Sequence, residues 1–272
     1  MLDRIDTMAS SLVLDYEIKV LMKPSEVLGP NNKLKNEVLS EFSMPSSTKK
    51  MSIQFMDTKD RDIYTNGWNL RIRKTEGDKD FELTYKKRYP IVDGLSSTAE
   101  GRIAAALETA EQEGFVSTTI YQAQVEVGYQ KQTLSISHDE EAPGPGAEAM
   151  ELPSEEDSLR FLAIKAPEEF KNWGAGHLAN SIIYGPVFAK RSKGTWGDFR
   201  LFIEVWPIRM SRTDASLEPI VEISFKTPGL KQALEGRDKL VELLREKGWF
   251  LDKEILRTKL IMERYGETTS RL

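Results

Sequence analysis

Leu14, Tyr16, Ile18 and Val20 alternate along the chain with Asp15, Glu17 and Lys19. Successive side chains of a β-strand point to opposite faces, so this stretch has one apolar face and one carrying both signs of charge. One such strand needs only a core on one side and water on the other. The pattern recurs, however. Residues 68–74 set Arg71 and Arg73 against Leu70 and Ile72, and residues 81–86 gather Glu82, Thr84 and Lys86 on one side. Residues 199–207 set Arg200, Phe202, Glu204 and Trp206 against Leu201, Ile203 and Val205. Residues 220–226 set Glu222, Ser224 and Lys226 against Val221, Ile223 and Phe225. A chain built this way has to bury several apolar strand faces while bringing arginines, lysines and carboxylates together on the other.

Composition narrows what such strands can serve. The 272 residues suffice for one large domain or two small ones. No run of about 18 apolar residues is present, so no helical membrane span is expected. Residues 1–11 contain Asp3, Arg4 and Asp6 and lack the apolar centre of a signal peptide. Cysteine is absent, which excludes disulfides, thiolate metal ligands and a cysteine nucleophile, and fits a reducing cytoplasm. The formal net charge of −5 argues against broad nucleic-acid binding. Polyanions could be bound only where the basic residues converge.

The remaining elements follow from periodicity and punctuation. Helices are expected over 31–42, 96–112, 230–247 and 256–264, with a further helical patch over 159–173 limited by Pro167 and Gly174. Ser96 or Ser97 is the expected N-cap of the second. Residues 50–58 and 122–137 alternate as strands, the latter with Gln122, Gln124 and Glu126 on one face. Residues 139–157, rich in Glu, Pro, Gly and Ala, read as an exposed acidic loop or insertion. Two architectures accommodate these strands. One is an open antiparallel sheet with helices on one face; the other is a closed antiparallel barrel with helices outside and a charged interior. The mixture of both charge signs on the polar faces favours the barrel.

The ordered strand motifs resemble those of the CYTH family, the triphosphate tunnel metalloenzymes. Asp15-x-Glu17-x-Lys19 is similar to the family's Glu-x-Glu-x-Lys signature, and Phe55-Met56-Asp57-Thr58 to its Tyr-Phe-Asp-Thr strand end. Leu70-Arg71-Ile72-Arg73, Leu83-Thr84-Tyr85-Lys86, Ile203-Glu204-Val205 and Val221-Glu222-Ile223 follow in the family's order, with Lys259 in the place of its C-terminal lysine. The likeness spans most of residues 12–265. It implies an α+β fold, an eight-stranded antiparallel tunnel with helices packed outside, as a single domain over 1–272. It also implies a small-molecule phosphoanhydride substrate and Mg²⁺ or Mn²⁺ as cofactor. By the same resemblance Lys19, Arg71, Arg73, Lys86, Lys190, Arg191, Arg200, Lys226 and Lys259 would contact phosphate. Asp15, Glu17, Glu204 and Glu222 would hold the metal, and Glu17, Lys19, Arg73 and Lys86 would carry catalysis.

Hydrolysis of a triphosphate is the activity this implies. A lyase or cyclase that ejects pyrophosphate from an organic di- or triphosphate is a second reading, and a catalytically weak polyphosphate- or nucleotide-binding module a third. Two departures bear on the choice. Asp15 is one methylene shorter than the family's glutamate, and Ser224 stands where a second acidic residue would help bind metal. Phe202 and Trp206 share a face with Glu204 and either contact an organic group in the tunnel or merely end the strand. His138 and His177 read as surface or loop residues rather than catalytic bases, and Gly144 and Gly146 lack the lysine of a phosphate loop.

Overall fold

The computed structural model describes residues 12–93, 96–116 and 120–266; the segment 1–11 read above for a signal peptide lies outside them. Among the described residues nine strands are formed: β1 (Leu14–Met22), β2 (Lys49–Asp57), β3 (Trp68–Thr75), β4 (Phe81–Ile91), β5 (Gln122–Val127), β6 (Gln132–Ala142), β7 (Ile182–Trp196), β8 (Phe199–Arg209) and β9 (Leu217–Thr227). They close into one barrel in the order β1-β5-β6-β4-β3-β2-β7-β8-β9, with β9 returning to β1. The expected eight antiparallel strands are thus corrected to nine, and one pairing, β1 with β5, is parallel. The parallel pair arises because β1 lies between two strands that are distant in sequence, β5 and β9, and only β9 runs antiparallel to it.

Residues 182–196 have no regular alternation in the sequence, yet they form the longest strand. Gly185 and Pro186 interrupt the period: Ile53 pairs with Val187 and Phe55 with Tyr184, so β7 carries a bulge opposite β2. Gly197 and Asp198 then make the two-residue turn into β8, with Gly197 at φ +54°, where a hairpin turn favours glycine.

Short helices α1 (Pro24–Val27), α2 (Asn36–Glu41) and α3 (Asp62–Thr65) join the early strands. The helix expected over 31–42 shortens to α2, because Asn31 and Asn32 adopt positive φ and break its start. α4 (Ala99–Gln112) is capped by the Thr98 side chain accepting from the Gly101 N–H, rather than by Ser96 or Ser97. The patch over 159–173 resolves into α5 (Glu155–Lys165) and α6 (Glu168–Ala179), divided at Pro167. The acidic stretch 139–157 is only partly loop: its first residues complete β6 and its last begin α5. α7 (Leu230–Glu246) and α8 (Arg257–Arg264) complete the chain. No helix of the described residues is long and apolar enough to cross a membrane.

Two apolar clusters hold this together. The larger lies outside the barrel, where Ile18, Ile72, Leu83, Val125, Ile136, Ile203 and Ile223 pack with Ile103 of α4, Leu162 of α5, Phe170 of α6 and Leu240 and Leu244 of α7. The second lies within the barrel. Met51, Ile53 and Phe55 of β2 are register partners of Thr75, Arg73 and Arg71, so they share the inner face with those arginines. With Tyr184, Val187, Trp206, Ile208 and Ile220 they receive Ile261, Met262 and Tyr265 of α8. α8 therefore lies across one end of the barrel, and the charged region occupies the remainder.

Candidate functional site: a charged tunnel

Because inward positions recur every second residue, each strand delivers a short polar row to the same space. Glu17 and Lys19 come from β1, Arg71 and Arg73 from β3, Thr84, Lys86 and Arg88 from β4, and Gln122 and Gln124 from β5. Ser137 and Asp139 of β6, Arg191 of β7, Phe202, Glu204 and Trp206 of β8, and Glu222, Ser224 and Lys226 of β9 complete the wall, with Arg257 entering from α8. They surround a cavity of about 310 Å³.

The charges are arranged as three linked groups. Glu126 is the centre of the first: its carboxylate lies 3.2 Å from Lys19, 3.3 Å from Lys86 and 3.8 Å from Arg88. Lys19 also meets Glu17 at 2.7 Å, and Gln124 donates to the same Glu17 carboxylate. In the second, Glu82 accepts from Arg71 at 2.8 Å and from Arg73, while Thr84 accepts from Arg71 at 2.8 Å and donates to Asp139 at 2.6 Å. In the third, Glu204 accepts from Arg191 at 2.6 Å, from the Trp206 indole at 2.9 Å and from Arg257. Arg257 also lies 2.7 Å from Glu222 and sits 4.3 Å over the Trp206 ring.

These neighbours decide the protonation states. Burial opposes ionisation of Glu126, but Lys19, Lys86 and Arg88 hold its pKa well below the ordinary glutamate value. Glu17, Glu82 and Glu204 are lowered likewise against burial, by Lys19, by Arg71 and Arg73, and by Arg257 and Arg191 respectively. Glu222 is raised: burial outweighs Arg257 and Lys19, and the Glu204 and Glu17 charges add to it. Lys19 is raised despite its burial by Glu126, Glu17 and Glu222. Lys86 is pushed down to about 8 by burial, with Lys19 and Arg88 repelling its charge against the pull of Glu126.

Some donors remain without acceptors. The Nε–H groups of Arg71, Arg73 and Arg88, and the Nδ2 of Asn69, are buried and make no hydrogen bond, although Arg71 and Arg73 are ion-paired with Glu82 and the Arg88 Nε lies 3.8 Å from Glu126. Buried donors are ordinarily satisfied, and leaving one unmade costs about 1–3 kcal/mol. Three guanidinium groups on adjacent strands facing one cavity thus offer forks to an anion.

Of the residues expected from sequence, Glu17, Lys19, Arg71, Arg73, Lys86, Arg191, Glu204, Glu222 and Lys226 meet around this cavity. Four others do not. Lys190 adjoins Arg191 on a strand, so it points the opposite way, and its Nζ donates to the Asn31 carbonyl outside the barrel. Arg200 shares a face with Glu204 but is exposed next to the β7–β8 turn, and Asp15 is exposed near the start of β1. Lys259 is exposed on α8, 3.9 Å from Glu263, and borders a second cavity that shares Lys19 and Glu222 with the first. Arg88, Glu126, Asp139 and Arg257 belong to the site without having been assigned to it. Arg88 continues the Thr84, Lys86 period, and Glu126 the Gln122, Gln124 period, so alternation could have found both. Asp139 was absorbed into the acidic stretch, and nothing in strand periodicity marks Arg257. Phe202 and Trp206 face the cavity. His138 is buried in the barrel wall, its Nδ1 3.1 Å from the Ile120 carbonyl and its ring beside Tyr85 and Tyr121; it is a packing residue, not a surface one.

Among the described residues no three acidic or histidine side chains converge as a ready metal cage. Glu204 and Glu222 are directly opposed on β8 and β9. Two carboxylates suit a small divalent ion that keeps waters and takes its remaining oxygens from phosphate. The donor type therefore fits Mg²⁺ or Mn²⁺, although Arg257 bridges the pair.

No family model matches the sequence, and no curated protein matches it either. Likeness emerges in three dimensions. HpAC1 from Hippeastrum, an adenylyl cyclase candidate whose structure reveals a dominant triphosphatase activity, aligns with a TM-score of 0.52 at 16% identity, over 90% of this chain and 93% of its own. A candidate adenylate cyclase from Bacillus halodurans gives 0.48 at 13% identity, over 93% and 98% of the two chains. The PH1819 protein of Pyrococcus horikoshii gives 0.42 at 15%, over 90% and 98%. The two lower scores carry no argument, and the first, at its identity, speaks only to fold: this chain and HpAC1 share one.

Proposed function

We propose that the tunnel binds the phosphate chain of a triphosphate or other phosphoanhydride and hydrolyses it. The observation that carries this reading is the set of buried Nε–H donors of Arg71, Arg73 and Arg88 that make no hydrogen bond around one cavity. Glu82 and Glu126 are their present counter-charges, and successive phosphates would accept from several planar forks at once. Lys19, Lys86 and Arg191 stand within the same wall, each now held by a carboxylate that a phosphate oxygen would replace. Phosphoryl transfer asks the protein mainly for in-line positioning of a water and neutralisation of developing charge. The cation-lined wall would supply the neutralisation and fix the phosphate chain along its length. Glu204, Glu222 and Glu17 would hold a divalent ion, Mg²⁺ or Mn²⁺, which when bound neutralises phosphate charge and activates water. Hydrolysis is also the reaction proposed because HpAC1, which shares this fold, has a dominant triphosphatase activity; the likeness itself does not separate hydrolysis from cyclisation.

Phe202 favours a second reading, pyrophosphate release from an organic phosphate. Its ring faces the cavity with Arg191 5.5 Å from its centroid, a surface suited to a base or an isoprenoid. Trp206 is less available, since Arg257 covers its face and Glu204 takes its N–H.

The test is orthophosphate and pyrophosphate release from tripolyphosphate, ATP, thiamine triphosphate and prenyl diphosphates, each with Mg²⁺, Mn²⁺ or EDTA. Metal-dependent orthophosphate release that falls at least about 100-fold in Arg73→Ala, Arg88→Ala and Glu17→Gln is the expected result. Pyrophosphate with a cyclised or eliminated product would transfer the assignment to the lyase. Undiminished release in all three variants would place the chemistry elsewhere.

A further inference from the structure

Arg257 is the first residue of α8, and its guanidinium stands between two carboxylates on neighbouring strands. One terminal nitrogen meets Glu204, the other lies 2.7 Å from Glu222, and the flat face rests 4.3 Å over Trp206. Glu204 has no free oxygen in this arrangement, since Arg191 takes one and Trp206 shares the other. The pair whose donor type suits a divalent ion is thus already bridged by a cation belonging to the chain. A metal ion on the same two carboxylates would stand beside the guanidinium, and like charges repel at such distances. The helix carrying Arg257 is independently anchored, by Ile261, Met262 and Tyr265 in the inner apolar cluster and by Arg264 on Glu218 at 2.8 Å. Arg257 can therefore swing away by its own side-chain torsions while α8 stays in place.

We infer that Arg257 is a resident cation that competes with the divalent ion for Glu204 and Glu222. In the free protein it keeps the ion out. A phosphate chain entering the tunnel offers the guanidinium a replacement partner, so the ion is accepted with the phosphate rather than before it. This last clause rests on the tunnel being a phosphate site; the competition itself does not.

The test is Mn²⁺ titration of phosphate-free protein, with free ion followed by electron paramagnetic resonance. Arg257→Gln is expected to bind Mn²⁺ about tenfold more tightly than wild type, or better. Adding Glu222→Gln should abolish the gain. Arg257→Lys keeps the charge but is shorter and lacks the planar fork that now reaches both carboxylates, so its affinity should fall between the two; should the glutamine variant not fold, the lysine variant reads the competition alone. Equal Mn²⁺ affinity in wild type and the folded Arg257 variants would overturn the inference, as would a gain that survives loss of Glu222. Tripolyphosphate binding to wild type, measured by calorimetry in EDTA and in Mg²⁺, separates the two readings. Its absence under both conditions would remove the proposed function and leave the Mn²⁺ comparison intact.

Discussion

Lys86 lies in a crowd of its own sign, with Lys19 and Arg88 beside it and Glu126 as the shared counter-ion. Held down to about 8, it titrates close to neutrality, unlike an ordinary lysine. A free ammonium that loses its proton near this pH grips phosphate less well above it. Tripolyphosphate affinity of wild type is therefore expected to fall, relative to Lys86→Arg, as pH rises from 7 to 10. The difference should approach about tenfold per pH unit well above 8; parallel profiles for the two proteins would show that Lys86 does not touch the phosphate. Residues such as Lys86, Arg71 and Arg73 are legible in the sequence because strand alternation separates inside from outside without knowledge of the fold. Lys190 and Arg191 show where that reading needs the partner strand: both are basic and adjacent, and only the register of β7 against β2 and β8 says which one enters. Arg257 was not legible at all, since a helix brings it to a wall built from strands.

At the level of elements, glycine marks where helices approach the barrel most closely. Gly236 lies within α7, and a Cβ there would stand 2.8 Å from the Phe225 ring of β9. Alanine raises intrinsic helix stability by about 1 kcal/mol, but the ring contact leaves no space for it. Gly236→Ala should accordingly destabilise by about 1–2 kcal/mol. Gly176, inside α6 with open space around its would-be Cβ, should instead gain about 0.5–1 kcal/mol on the same change. Denaturant unfolding of the two variants checks this, and two changes of like sign would contradict it. The strands with unbroken alternation, β1, β3, β8 and β9, could be read directly from the chain. β7 could not, because its bulge at Gly185 and Pro186 shifts the period midway. β2 misleads in a different way: its inner face is apolar, with Met51, Ile53 and Phe55 clustered with Ile261 and Met262 of α8, so alternation locates the strand but not which side is inside.

The whole molecule is organised around paired charges in a confined interior, and its stability should report on them. Glu17, Glu82, Glu126 and Glu204 are lowered in the folded state. Each contributes stability that is present above the ordinary glutamate pKa and is lost as pH falls through its lowered value. Glu222 and Asp57, raised chiefly by burial, act oppositely: their contribution is present at low pH and lost as pH rises through their folded values. Glu126 is held well below the ordinary value and Glu204 is strongly lowered, so the lowered group prevails, and the thermal midpoint should decline between pH 5 and pH 3. A flat profile over that range would mean that the tunnel carboxylates are not ion-paired in solution.

Closure through β1 has a consequence for how the chain acquires its shape. Ile18 pairs with Val127 on one side and Phe225 on the other. During synthesis, then, the first strand has no neighbour until more than a hundred further residues have been made, and its second neighbour comes nearly a hundred later still. Until β9 is complete the ribosome-bound chain presents raw strand edges flanked by apolar faces, the form of intermediate most prone to join with another copy of itself. The ring seals last where it begins, and its vulnerable period runs from the making of β1 to that of β9.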